Sequence, residues 1–144
     1  MAFSLVPGLA QKEFVCDLPF CRVLFEDNAN YPWIFLVPRK EGVKNMLNLS
    51  TDERLLLMKE IEICERAMNN LFHPTQTNVA MIGNKTPQLH VHIICRFKND
   101  PAWPGTVWSE IATPYTGTEK KLTIQKIKKE IETCQKLLSS SQHG

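Results

Sequence analysis

The sequence predicts an α+β fold, with short strands pairing into an antiparallel sheet and two long helices among them. Three observations carry this reading. Apolar runs of strand length stand between residues 14 and 25, 33 and 37, and 78 and 97, separated by turn-forming clusters. Two other stretches repeat apolar residues at helical spacing, one from Ser50 to about Leu71 and one from about Thr118 to Leu138. The order is strands, helix, strands, helix rather than a strict βα alternation. With 144 residues, 43% of them hydrophobic, the chain is read as a single domain spanning 1–144 with a core of its own.

Phe14-Val15-Cys16 and Cys21-Arg22-Val23-Leu24-Phe25 read as the first two strands, broken by Asp17-Leu18-Pro19. Glu26 to Asn30 is a polar turn cluster. Trp33 to Val37, bounded by Pro32 and Pro38, is a continuous apolar run and so a buried strand. The first long helix opens with Ser50 as N-cap and Glu53 three residues on, a capping box, with acids at the positive end of the helix dipole. Leu56, Leu57, Ile61, Cys64, Ala67, Met68 and Leu71 form its apolar stripe. Asn78 to Asn84 and Gln88 to Phe97 are the next strands, and the short Lys85-Thr86-Pro87 break between them predicts an antiparallel hairpin. Residues 98–117 form a Pro/Trp-rich loop long enough to suggest a functional role. The last helix places Leu122, Ile124, Ile127, Ile131, Cys134 and Leu138 inward, and residues 139–144 are expected to fray.

The formal net charge of +2 argues against a nucleic-acid partner recognised through charge. No apolar run reaches membrane-spanning length, and the first residues do not resemble a secretory signal. Five scattered cysteines (Cys16, Cys21, Cys64, Cys95 and Cys134) fit buried thiols in a reducing, cytoplasmic setting. Zinc at Cys16 and Cys21 is the alternative, but no second ligand pair follows.

The histidines carry the chemistry. His143 lies in the tail and takes no role, and His73 reads as a solvated cap at a helix C-terminus. His90 and His92 differ from these. Strand side chains alternate, so Gln88, His90 and His92 share one face while Leu89, Val91 and Ile93 point into the core. Two imidazoles so close do not both hold a proton comfortably. One stays neutral as nucleophile or base, and the other is free to be cationic and donate a proton or hold an anion. That division suits attack on phosphorus through a phosphoramidate. Solvated surface histidines, or a two-histidine zinc site wanting a third ligand, are the competing readings. Arg39, Lys40, Lys85 and Arg96 are cations near these segments, of which Lys85 is best placed for phosphate. Trp103 and Trp108 read equally as base-stacking or as core. Tyr31, Trp33 and Phe35 read as core.

Gln88-Leu89-His90-Val91-His92-Ile93-Ile94 resembles the motif His-φ-His-φ-His-φ-φ (φ apolar) of the histidine-triad (HIT) family. Phe35-Leu36-Val37-Pro38-Arg39-Lys40, Leu47 to Glu53 and Asn78 to Asn84 resemble the family's flanking segments in the same order. Pro87 to His92, followed by Asp100-Pro101-Ala102-Trp103-Pro104-Gly105, is similar to a bacterial diadenosine tetraphosphate hydrolase-like branch. The resemblance implies a half-barrel: an antiparallel sheet of about five strands with two helices, in a homodimer. It implies cleavage of a phosphoanhydride or phosphoramidate bond of a nucleotide through a nucleotidyl-histidine, with no cofactor. His90 falls on the nucleophile, and His92 on the residue that contacts the scissile phosphate or leaving group. Asp27 falls on the ribose-binding acid, with Asn28 and Asn30 beside it, and Asn84 falls near the phosphates.

Three positions depart from the family pattern. Gln88 replaces the first histidine, and a glutamine can orient but cannot titrate. Glu41-Gly42-Val43 stands where a histidine is expected after Pro38. Lys85-Thr86-Pro87 replaces a longer Gly-rich phosphate loop, leaving Lys85, Thr86 or backbone amides to take that role. A nucleotide-binding regulatory module with little turnover is therefore the alternative to an active hydrolase or transferase.

Overall fold

A computed structural model describes residues 3–141; His143 lies outside them. Five strands form one antiparallel sheet: β1 (Glu13–Asp17), β2 (Cys21–Phe25), β3 (Trp33–Pro38), β4 (Gln76–Ala80) and β5 (Val91–Arg96), in the order β1-β2-β3-β5-β4. The helices are a single turn, α1 (Pro7–Ala10), and two long helices, α2 (Thr51–Phe72) and α3 (Gly117–Ser141). The expected α+β fold is thus found, with α1 added.

The sheet has two differently covered faces. Ile34 and Leu36 of β3 and Val91, Ile93 and Cys95 of β5 join a large core beneath α2 and α3. Trp33, Phe35 and Val37, of opposite parity, join Leu9, Leu24 and Ile94 in a second cluster on the other face. This is why β3 reads as an unbroken apolar run: it is buried on both sides.

On α2, Leu57, Ile61, Cys64 and Met68 recur at i, i+4, i+7 and i+11 and are all buried. The capping box forms as expected: Glu53 N–H reaches Ser50 Oγ and Ser50 N–H reaches Glu53 Oε1. At the other end His73 takes the left-handed conformation, with φ of 48°, and its amide closes on Asn69 O. Glu60 on α2 is 2% exposed, and its carboxylate accepts the Phe20 and Cys21 amides at 2.9 and 2.7 Å. It pins the β1–β2 turn to the helix.

Three boundaries differ from expectation. The strand before the motif covers Gln76–Ala80, not 78–84, and Met81 and Ile82 are largely exposed. β5 begins at Val91, so Gln88, Leu89 and His90 precede it. The cause is that the Gln88 and Leu89 amides bond to Thr86 O and to the distant Val43 O, outside the ladder. The connection between β4 and β5 is therefore a ten-residue loop rather than a tight turn. On α3 the register turns Leu122 out to solvent, leaving Ile127, Ile131 and Cys134 buried, and residues 139–141 continue the helix instead of fraying.

Candidate active site

The groups at the centre of the site hang from the two middle strands. β3 and β5 are neighbours in space although α2 and β4 separate them in the chain, and Phe35 lies opposite His92 across them. His92 is set among aromatic rings, with the centroids of Phe35, Trp108 and Trp33 at 5.0, 5.4 and 5.7 Å. Trp33 Nε1 donates to His92 Nδ1 at 3.1 Å. An indole nitrogen can only donate, so Nδ1 is an acceptor and the ring proton sits on Nε2. That Nε2 is buried and makes no hydrogen bond of ordinary geometry, although the Ile82 backbone lies near enough to favour its protonated form a little. Burial, reinforced by His90 alongside, holds His92 down at about 4.

His90 is held the opposite way round. Its Nδ1 lies 2.6 Å from the Gln88 carbonyl oxygen, which can only accept. The proton is therefore on Nδ1 and the lone pair on Nε2. The two rings stand 4.9 Å apart at 64°. In their neutral forms the two rings are opposite tautomers, His90 offering a lone pair at Nε2 and His92 an N–H there. The expected cationic second imidazole is thus corrected: a dry aromatic setting and the indole donor on Nδ1 leave His92 no room for a second proton near neutrality.

His90 is 6% exposed and His92 5%, yet both line a cavity of about 490 Å³. Asn84, Lys85 and Thr86 form part of its wall, as do Trp33, Phe35 and Trp108. Lys12 and Glu26 also face it, joined by an ion pair at 2.8 Å. A second cavity of about 440 Å³ shares Ile82, Asn84 and His90 with the first and adds Lys44 and Met46. Among the described residues no three His, Cys, Asp or Glu side chains are grouped to hold a metal ion. Neither the Cys16/Cys21 pair nor the His90/His92 pair gains a third ligand. All five cysteines are free and buried, and burial pushes the Cys16 and Cys95 thiols up to about 12.

A model of the HIT domain matches residues 8–99, which takes in every strand and this histidine pair. The chain belongs to the HIT family. Among solved structures it is similar to a histidine triad protein from Bradyrhizobium japonicum, at 36% identity and a TM-score of 0.88 over 91% of this chain and 99% of that one. It is also similar to a histidine triad protein from Marinobacter aquaeolei, at 33% identity and a TM-score of 0.87 over 93% and 99%. A diadenosine triphosphate hydrolase from Plasmodium falciparum shares the fold, at 17% identity and a TM-score of 0.59 over 96% and 85%. No curated protein matches the sequence.

Within this HIT domain the expected site residues divide into two groups. His90, His92, Asn84, Lys85 and Thr86 meet around one cavity. Asp27, Asn28 and Asn30 do not line it. Asp27 accepts the Tyr115 amide at 2.8 Å, Asn28 accepts the Asn30 and Thr113 amides, and Asn30 donates to Ile111 O. Together they tie residues 111–115 to the sheet. The acid that faces the cavity is Glu26, one position earlier. Gln88 lines neither cavity, and its side chain turns to the N-terminal segment.

The other cations are structural. Arg39 donates to the carbonyls of Leu18 and Pro19, and Lys40 pairs with Glu53. Arg96 is buried and grips Asp100 at 2.9 and 3.1 Å, Asn78 at 2.8 Å and Gly105 O at 2.8 Å. Burial would raise the Asp100 carboxyl, but Arg96 and the Phe97 and Trp103 amides hold it down at about 2. This staple shapes the loop that carries Trp108 to the cavity, while Trp103 packs at 5.8 Å from the Arg96 guanidinium. The two tryptophans thus divide, one at the site and one in its support.

Gly8, Leu9, Lys12, Glu26, Trp33 and Phe35 face the cavity without having been expected there. Trp33 and Phe35 are core, as expected, and are also the cavity's aromatic wall. Strand parity puts these two on one face, but only the adjacency of β3 and β5 connects that face to His92. Nothing local marks Gly8 or Lys12.

Proposed function

We propose that this HIT protein is a nucleotide phosphate hydrolase or transferase that works through a nucleotidyl-His90 intermediate. The opposed tautomers of His90 and His92 carry the reading. The Nε2 lone pair of His90 attacks phosphorus, a P–N bond forms, and the bond from phosphorus to the leaving group breaks. The Nε2–H of His92 is a fixed donor for a phosphate oxygen as charge develops there. Water then attacks phosphorus, the P–N bond breaks, and His90 is restored. Lys85, with Asn84 and Thr86, is placed to accompany the phosphates.

The protonation pattern also bears on the substrate. His92 is neutral and Gln88 cannot titrate, so neither motif position supplies a general acid. A phosphate leaves as a stable anion, whereas an amine needs a proton. The site therefore fits phosphoanhydrides, such as dinucleoside polyphosphates, better than phosphoramidates. Two cavities meeting at His90 suit a substrate with a group on each side of the scissile bond, in keeping with the diadenosine tetraphosphate hydrolase-like resemblance. The five buried thiols support a cytoplasmic setting. Edge strand β4, with Val79 exposed, and the exposed Leu55 and Met58 of α2 support a homodimer.

The test is turnover of diadenosine tetraphosphate and of an adenylyl phosphoramidate by wild type and His90→Ala, with acid-quench trapping of labelled nucleotide on the protein. Wild type is expected to favour the anhydride and to trap label, and His90→Ala to lose about 10³-fold or more of the activity. Equal activity in both proteins would refute the nucleophile. A second reading is a nucleotide-binding module with little turnover, favoured by the complete engagement of the Gln88 side chain away from the reacting atoms. Calorimetry showing tight AMP binding by a protein that forms no product would select it.

A further inference from the structure

Gln88 serves two ends through two separate parts. Its main-chain carbonyl orients the His90 ring. Its side chain turns away: Oε1 accepts the Val6 amide at 2.9 Å, and Nε2 donates to the Ser4 carbonyl at 3.0 Å. Those two backbone groups flank Leu5, and one planar carboxamide spans them as an adjacent strand would. A carboxamide is the group suited to this, and glutamine gives it the reach. An imidazole directs its two nitrogens apart, and a carboxylate has no hydrogen to offer the Ser4 carbonyl.

The segment held in this way continues directly into the cavity. Val6, extended at φ −66° and ψ 157°, caps α1. Within α1, Gly8 approaches Thr86 so closely that a Cβ would stand 2.8 Å from Thr86 Oγ1. Leu9, 2% exposed, enters the second core cluster, and Gly8, Leu9 and Lys12 line the cavity beside His90 and His92. The carboxamide thus fixes one end of the segment, and the Gly8–Thr86 contact fixes it again at the cavity wall.

We infer that Gln88 is a positioning residue whose side chain clasps residues 3–12 onto the sheet, making them one wall of the nucleotide cavity. The departure from the triad at this position is then a change of job: a titratable ring is exchanged for a tether that shapes the binding cavity. The clasp stands on the hydrogen bonds alone, while the ligand it affects rests on the nucleotide reading given above.

The experiment compares wild type with Gln88→Glu, Gln88→His and Gly8→Val. Gly8→Val pushes α1 away from Thr86 while leaving Gln88 intact. Amide exchange reads the clasp without any ligand. In the Gln88 variants, exchange of the Val6 amide and its neighbours is expected to quicken about tenfold or more, with β5 unchanged. In all three variants AMP is expected to bind about tenfold more weakly. On diadenosine tetraphosphate, KM should rise by a similar factor while kcat stays within about threefold, because the Gln88 carbonyl still holds His90. Unchanged exchange in the Gln88 variants overturns the clasp. Quickened exchange with unaltered AMP affinity, or a kcat that falls as far as KM rises, overturns the wall. Should one Gln88 variant fail to fold, the other decides the clasp through amide exchange, and Gly8→Val tests the wall through AMP affinity. Should wild type bind no AMP, the nucleotide reading falls, and amide exchange still decides the clasp.

Discussion

His92 makes the fold sensitive to acid in a way that can be worked out in advance. Burial, then the neighbouring His90, hold its folded-state value at about 4 against 6.5 for a free imidazole. Between those two values the unfolded chain binds a proton that the folded chain refuses. Stability therefore rises with pH across this window, is complete above about 6.5, and is lost as pH falls toward 4; below that both states are protonated and no more is lost. At about 1.4 kcal/mol per pH unit, the drop from 6.5 to about 4 corresponds to about 3 kcal/mol. This is a large part of the stability of an ordinary domain. His92→Gln removes the titration while leaving a carbonyl oxygen for the Trp33 indole. Urea unfolding of both proteins at pH 7.5, 6, 5 and 4 is the assay. Carboxylate titrations are shared by the two proteins and cancel in the comparison. Wild type should lose about 3 kcal/mol more than His92→Gln over this range. Parallel pH profiles would refute the neutral, indole-bound imidazole, and with it the assignment of the ring proton to Nε2.

Two further outcomes follow from buried polar groups. Asp100→Ala strips the buried Arg96 guanidinium of its carboxylate partner, leaves the Phe97 and Ala102 amides without their carboxylate acceptor, and leaves the Trp103 amide only a long bond to the carbonyl of residue 100. A loss of about 3–5 kcal/mol is expected by chemical denaturation, together with increased protease cleavage within residues 97–105. Glu60→Gln turns an amide NH₂ toward one of two backbone donors that a carboxylate satisfies together. The expected cost is about 1–3 kcal/mol in the denaturation midpoint at pH 7.

The parts of this structure legible in the sequence are those where local pattern and burial coincide. Ser50 and Glu53 cap a helix through contacts three residues apart, so chain order alone locates the start of α2. β2 and β3 begin where their apolar runs begin. The strand period pairs His90 with His92, and the structure brings both to one cavity although His90 stands just before β5. Local pattern misleads where distant groups decide. Asn78 to Asn84 reads as a full strand because its composition suits one, yet β5 offers no partner beyond His92, since the Gln88 and Leu89 amides bond elsewhere. Leu122 suits an apolar stripe, but the packing of α3 on the domain selects the side carrying Ile127 and Ile131. The charge on His92 is hidden from the sequence for the same reason. Two adjacent imidazoles look like one neutral and one charged until the Trp33 indole, 59 residues away, is seen to occupy one nitrogen. Asp27 and Glu26 differ by a single position, and only the geometry of the turn after β2 shows which carboxylate faces the cavity.

The cavity draws its walls from residue 8 at one extreme to residue 108 at the other. During synthesis the first three strands and α2 emerge from the ribosome ahead of His90, His92 and Trp108, so a nascent chain possesses much of its sheet before it holds the groups that complete the cavity. Occupancy is then a property of the finished molecule alone. A nucleotide bound there would shift the whole unfolding equilibrium by mass action, not stiffen a single loop, and thermal melting with added ligand would register it as one cooperative displacement.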